Sequence, residues 1–177
     1  QSTYVEYAGA PLRPATRYWW KVNVMTNKGK CGWSGPAMFQ TGFPEGENSW
    51  GAEWIGGELP GDIPMEAIPA RYLRKSFSIK QSPIKYASLY IVGLGIYEAY
   101  INGHRLGDGV LLQAPTEYFQ SVRYDVHDIG EFLRNGNNTI GVTLGNGRHT
   151  PERMRTMRWF GFPRMYSRLE IVYADGS

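Results

Sequence analysis

The chain has 177 residues, enough for one domain of ordinary size or one domain and part of another. Hydrophobic residues at 42% and charged residues at 20% exclude a disordered chain, and 22 Gly with 11 Pro make it turn-rich without low complexity. A net charge of +3 excludes bulk attraction to nucleic acid or membrane, and a single cysteine, Cys31, excludes an internal disulfide framework and a Cys-rich zinc site. Aromatics reach 14%, which suits a β-sandwich core or a surface that stacks on a ligand. No run approaches the ~18–20 apolar residues of a membrane span. Gln1-Ser2-Thr3-Tyr4 has neither a starting Met nor a signal pattern, and Ala174-Asp175-Gly176-Ser177 stops on a turn, so both ends read as cuts in a longer polypeptide.

Residues 1–43 form one compositional unit. From Arg17 to Val24 the chain alternates, with Tyr18, Trp20, Val22 and Val24 on one face, which predicts a half-buried strand. Asn27-Lys28-Gly29-Lys30 reads as a turn and Pro36 to Thr41 as a following strand. The spacing Leu12-x-Pro14-x-Thr16-x-Tyr18 resembles the tyrosine corner of fibronectin type III sandwiches, and Gly32-Trp33-Ser34-Gly35-Pro36 with Thr41 fits that family's final hairpin. The resemblance implies a Tyr18 hydroxyl bonded to upstream backbone; a plain core aromatic is the other reading. Such domains take ~100 residues, so residues 1–43 are expected to be the C-terminal part of one.

Residues 44–177 form a second unit behind a linker punctuated by Gly42, Pro44, Gly46 and Gly51, with Glu53-Trp54-Ile55-Gly56 opening it. Gly56 to Pro69 reads as a surface excursion. Strands are predicted over Arg71–Lys80, Ala87–Val92, Ile96–Ile101, Thr139–Leu144 and Met165–Tyr173. Asn102-Gly103, which accepts the positive φ angles of a type I′ turn, signals a hairpin after Ile101. One short helix is expected, capped by Asp125 or Asp128, running through Ile129, Phe132 and Leu133, and stopped at Asn135-Gly136.

Three phrases stand in order: Gly93-Leu94-Gly95-Ile96-Tyr97-Glu98-Ala99-Tyr100-Ile101-Asn102-Gly103, then Tyr124-Asp125-Val126, then Leu144-Gly145-Asn146-Gly147. Together they resemble the N-terminal β-sandwich of bacterial α-L-rhamnosidases, glycoside hydrolase family 78, over about Trp50 to Ser177. The hairpin and Tyr-Asp-Val phrases alone also occur in sandwich domains of β-galactosidase-like hydrolases. The resemblance implies an all-β chain: part of a fibronectin-like sandwich, then a jelly-roll (galactose-binding-like) β-sandwich cut before its last strands. It implies a secreted or periplasmic bacterial parent that removes terminal α-L-rhamnose from plant glycans by inversion, on a helical barrel outside this chain. The chain departs from the family at Gln113-Ala114-Pro115-Thr116-Glu117-Tyr118 and at Arg148-His149, in loops where related modules bind rhamnose with calcium.

Glycoside cleavage needs two carboxyls about 5–9.5 Å apart across the scissile bond. The 16 acids are scattered, and no turnover by this chain is expected. No cofactor is required. By family position the sugar-binding candidates are Glu117, Tyr118, Asn146, Arg148 and Trp159, with stacking aromatics and amide, carboxylate or guanidinium partners. Asn146 has the alternative of merely supplying a left-handed turn residue, and Trp159 that of a core residue. Calcium could begin from Asp108 and Glu117. His104, His127 and His149 read as loop histidines.

Between Arg148 and Arg168 stand Arg148, Arg153, Arg155, Arg158, Arg164 and Arg168 against Glu152 alone. These suit an acidic pectin-like ligand or a neighbouring domain of the enzyme better than nucleic acid. The functional readings are therefore a scaffold region of a rhamnosidase, a stand-alone carbohydrate-binding module, or the sandwich domain of a β-galactosidase-like enzyme. The expected partners are rhamnose-containing glycans, the parent's other domains and, through exposed Trp19, Trp20 and Trp33, further copies of the chain.

Overall fold

A computed structural model describes residues 6–43, 50–56, 68–150 and 160–177. The chain divides into two compact units, Gln1–Ser49 and Trp50–Ser177.

In the first unit, β1 (Arg17–Trp20) pairs with β4 (Ala37–Gln40), and β2 (Asn23–Thr26) pairs with β3 (Gly29–Trp33), both antiparallel. The single strand expected over Arg17–Val24 is thus two, broken at Lys21-Val22, because its halves pair with different partners. The expected buried stripe fails with it: Trp20, Val22 and Val24 are exposed, and Tyr18 is half-buried. Tyr18 stacks on Phe39 with ring centroids 5.6 Å apart. Its hydroxyl accepts the Arg13 N–H at 2.7 Å, the upstream backbone bond of a tyrosine corner.

The second unit is a sandwich of two antiparallel sheets. Its strands are β5 (Arg71–Ile79), β6 (Ile84–Leu94), β7 (Ile96–Ile101), β8 (His104–Arg105), β9 (Asp125–Asp128), β10 (Gly136–Gly145) and β11 (Arg164–Tyr173). One sheet has the order β5-β10-β7-β8 and the other β11-β6-β9. Alternation in β7 and β10 sends Tyr97, Ala99, Ile101, Val142 and Leu144 inward, where they meet Leu89 and Ile91 of β6, Met165 of β11, Leu106 and Ile129.

Strand β6 does not alternate: Ala87 to Val92 are all buried. Its outward face is covered as well. Trp50 packs its ring against Tyr90 (5.9 Å), Tyr124 (5.1 Å) and Tyr166 (5.1 Å). Ile55 and Met165 exchange two backbone hydrogen bonds of 2.8 Å, and Arg168 donates to the Trp50 carbonyl at 2.6 Å. A strand buried on both faces reads as a continuous apolar run.

The expected helix is absent among the described residues. Asp125–Asp128 is β9, paired with Ser88–Ile91 of β6, so those backbone groups are committed to a ladder. Only a 3₁₀ turn, Gly130–Phe132, follows, with Gly130 N–H donating to Asp128 Oδ1 at 3.2 Å.

The Asn102-Gly103 turn has φ values of 50° and 84°, as type I′ requires. Its tip is tied down. Asn102 Nδ2 donates to the Phe132 carbonyl and to Asn138 Oδ1, both at 2.8 Å, and Asn102 Oδ1 accepts the Thr139 N–H at 2.9 Å. Asn138, 2% exposed, also accepts the Arg134 N–H (2.8 Å) and donates to the carbonyls of Arg134 (2.8 Å) and Gly136 (3.0 Å). At the other end of β10 the β6–β7 corner packs directly on backbone: a Cβ on Gly95 (φ 134°) would lie 2.2 Å from the Gly145 carbonyl oxygen.

Two histidines expected in loops stand on strands. His104 is on β8 and stacks on Phe132 at 5.4 Å. His127 is on β9, beneath the buried Tyr97. Tyr97 donates its single hydroxyl proton to Asp125 Oδ2 at 2.6 Å, so the His127 Nε2 contact at 3.2 Å is made by an Nε2–H donating to the phenol oxygen. Burial, opposed by the Asp125 charge, lowers the His127 pKa below 6.5, and burial with the Asp125 bond pushes the Tyr97 phenol upward.

Two predictions follow for stability. Asn102→Gly keeps the turn geometry but takes the Asn102 side chain away from the Phe132 carbonyl and the Thr139 N–H; at about 1–3 kcal/mol per buried unsatisfied group, the melting midpoint of the second unit should fall by roughly 5–10 °C. An unchanged midpoint in differential scanning calorimetry would contradict the tie. For His127, the unfolded chain binds a proton below pH 6.5 that the folded chain refuses, so stability should fall as pH drops from 6.5 toward the lowered folded value. His127→Gln should flatten that slope in a series of melts.

Candidate functional site

The loops singled out in the sequence meet at the end of the sandwich where β10 finishes. Strand β10 delivers Asn146 to Thr150, and the chain after β8 returns through Leu112, whose carbonyl accepts the Tyr97 N–H at 3.2 Å. Leu111 (φ 55°) and Gln113 (φ 85°) take left-handed backbone to make that return. The buried Gln113 amide holds it, accepting the Gly93 N–H (3.3 Å) and donating to the Arg123 carbonyl (2.7 Å).

The Glu117 carbonyl then closes a turn by accepting the N–H groups of Gln120 (2.8 Å) and Ser121 (3.0 Å). This turn carries the half-buried Tyr118 ring onto His149 (5.0 Å, near perpendicular) and Phe160 (4.9 Å). His149 and Phe160 stack at 6.2 Å, and the Phe160 N–H donates to the His149 carbonyl at 3.2 Å. Burial lowers the His149 pKa, with the Gly161 carbonyl opposing and Arg164 reinforcing the shift. Burial raises the Tyr118 phenol, with Arg148 opposing.

Of the candidate residues, the structure brings Tyr118 beside His149 and within the field of Arg148. Glu117, Arg148 and Asp108 are exposed. Asn146 turns toward backbone instead, its Nδ2 donating to the Ile68 carbonyl at 2.9 Å. It is not left-handed; Gly147, at φ 55°, supplies that conformation. Trp159 lies outside the described residues, as do Arg153, Arg155 and Arg158. Arg168 is committed to Glu170 and the Trp50 carbonyl. No group of three His, Cys, Asp or Glu side chains able to hold a metal occurs among the described residues.

Sequence reasoning missed His149 as a member of the cluster. Its one signal was position: it stands where the resembled family has an aromatic pair, and it supplies a flat ring. Four buried polar atoms at or near this end lack a partner among the described residues: Asn146 Oδ1, His149 Nδ1, Thr116 Oγ1 and Arg71 Nε. With the half-buried ring of Tyr118, these groups suit contact by stacking and hydrogen bonding.

Comparison with known proteins places this geometry. The family model for the α-L-rhamnosidase N-terminal domain matches residues 82–177, and that for the Rha78A-like N-terminal immunoglobulin domain matches residues 1–45. The chain is similar along its whole length, at 34% identity, to 21% of an α-L-rhamnosidase from Formosa agariphila. A solved α-L-rhamnosidase from Dictyoglumus thermophilum superposes with TM-score 0.83 at 37% identity, over 98% of this chain and 20% of that one. One from Aspergillus terreus superposes with TM-score 0.83 at 28% identity, over 96% and 20%. The chain therefore spans about a fifth of the relatives it matches. Every strand of the sandwich except β5, and the phrases that build its hairpin and β10 loop, fall within residues 82–177, and the chain belongs to the α-L-rhamnosidase N-terminal domain family.

Proposed function

We propose that this chain is a non-catalytic accessory region of an α-L-rhamnosidase that works outside the bacterial cytoplasm on rhamnose-containing plant glycans. The observation that carries the reading is coverage: the chain aligns end to end with a fifth of a rhamnosidase. Cleavage of terminal α-L-rhamnosides, with inversion, belongs to a helical barrel elsewhere in the enzyme. In this reading the Tyr118–His149–Phe160 end of the sandwich is an ordered face that packs on the parent's other domains, with Arg148 on its rim.

A second reading, sugar binding at the same end, is favoured by the unpartnered Asn146 and His149 atoms beside the Tyr118 ring. Calcium would join there through Asp108 or Glu117. In the first unit Trp19, Trp20 and Trp33 are 63%, 50% and 70% exposed, an apolar surface that favours association with another domain or another copy.

The purified chain should release no 4-nitrophenol from its α-L-rhamnoside; turnover would overturn the reading. Calorimetric titration with L-rhamnose, with and without calcium, should give no saturable heat at concentrations that fill a ~1 mM site. Saturable heat lost on Tyr118→Ala would favour the second reading over the scaffold. Sedimentation velocity should show concentration-dependent association that weakens in a Trp19→Ser, Trp33→Ser variant, whereas a monodisperse monomer would contradict the exposed-tryptophan account.

A further inference from the structure

We propose that the outward face of the β5-β10-β7-β8 sheet is a binding trough for an oligosaccharide chain bearing carboxylate groups. This surface adjoins the loop end discussed above at Gly145 and Leu111 but faces outward from the sheet, and the inference does not depend on that reading.

The trough follows from strand register. Strand β10 is central, and its outward residues are small: Thr139, Gly141, Thr143 and Gly145. Its neighbours are tall. On β5, Tyr72 stands opposite Thr143 and Arg74 opposite Gly141; on β7, Glu98 stands opposite Thr143, Tyr100 opposite Gly141 and Ile96 opposite Gly145. Small residues between two large rows leave a channel along β10 whose walls are two strand spacings, about 9–10 Å, apart. At the Gly145 end it deepens into a cleft of about 180 Å³ lined by Ala70, Ile96, Glu98, Leu111 and Thr143. A Cβ on Gly141 would touch only Tyr100 Cβ, at 4.0 Å, so the floor is open there.

The walls carry the chemistry of a sugar site. Tyr72 is 82% exposed, a free aromatic face beside the channel onto which the C–H face of a pyranose can stack. Glu98 is held from both sides, by Arg105 at 3.2 Å and by the Tyr100 hydroxyl at 2.8 Å. A carboxylate offers about four acceptor positions, so two remain for ligand hydroxyls on a group already fixed in place. Across the channel, Tyr72 adds to the rise of the Tyr100 pKa caused first by Glu98, which sets the two phenols within one electrostatic neighbourhood.

Charge selects the occupant. Arg105 is neutralised by Glu98, while Arg74, exposed on the opposite wall, has no ion-pair partner among the described residues. An exposed guanidinium fork next to a stacking ring matches a carboxylate on a sugar. A protein partner fits less well, because a held carboxylate, Glu98, stands on one wall and glutamate is depleted in interface cores.

The test is a titration of the ¹⁵N-labelled chain with an α-1,4-linked galacturonic acid oligomer, followed by amide shifts, with the fully methyl-esterified oligomer in parallel. Expected are saturable shifts in β5, β7 and β10, about tenfold weaker for the ester. Tyr72→Ala should weaken binding about tenfold. Arg74→Gln should remove the preference for the free acid, and Gly141→Leu should abolish saturation by filling the floor. All three side chains point outward, and unchanged melting midpoints would show the variants folded. No shifts, equal affinity for acid and ester, or shifts that depend on protein concentration would overturn the proposal. Shifts centred on Tyr118 and Arg148 would also overturn it, and would instead support sugar binding at the loop end.

Discussion

Both proposed surfaces of the second unit depend on β10 being held at both ends. At its start the amide of Asn138 is buried with four hydrogen bonds, one of them to the Asn102 side chain at the hairpin tip. At its finish the Gly145 carbonyl sits where only a glycine at position 95 leaves room. A buried amide left unpaired, or a Cβ forced against backbone, would cost more than any single surface contact here could return. The strand is therefore fixed in register as well as in place, and a one-residue slip would turn its entire pattern over.

That fixed register gives β10 two separate tasks. Its inward residues, Val142 and Leu144, close the core with Tyr97, Ala99 and Ile101. Its outward residues are too small to fill the space between Tyr72 and Glu98, and they form the floor of the trough. The end of the strand launches Asn146–Thr150 into the aromatic cluster with Tyr118 and Phe160. One strand thereby positions both surfaces through which an accessory domain could act.

The alternating strands β7 and β10, the type I′ turn and the tyrosine corner were legible because each is written locally. What was not legible depends on partners distant in sequence. Nothing in Asp125–Asp128 announces that Ser88–Ile91 will claim its backbone, so Asp128 reads as a helix cap when it ends a strand. The unbroken burial of Ala87–Val92 makes sense only once Trp50 covers the outer face. Asn146 carries the amide a sugar site would need, but the Ile68 carbonyl takes its donor. The trough went unseen because it joins Tyr72, Glu98 and Gly141 across three strands, none of which is unusual alone.

Native-state hydrogen exchange tests the central role of β10 most directly. The account predicts that the amides of Val142 and Leu144, with those of β7, are among the slowest in the second unit, exchanging only through its global unfolding. Asn102→Gly should speed all of them together. Exchange of β10 at the rate of the edge strands β5 and β8, or a response to Asn102→Gly confined to the hairpin tip, would contradict it.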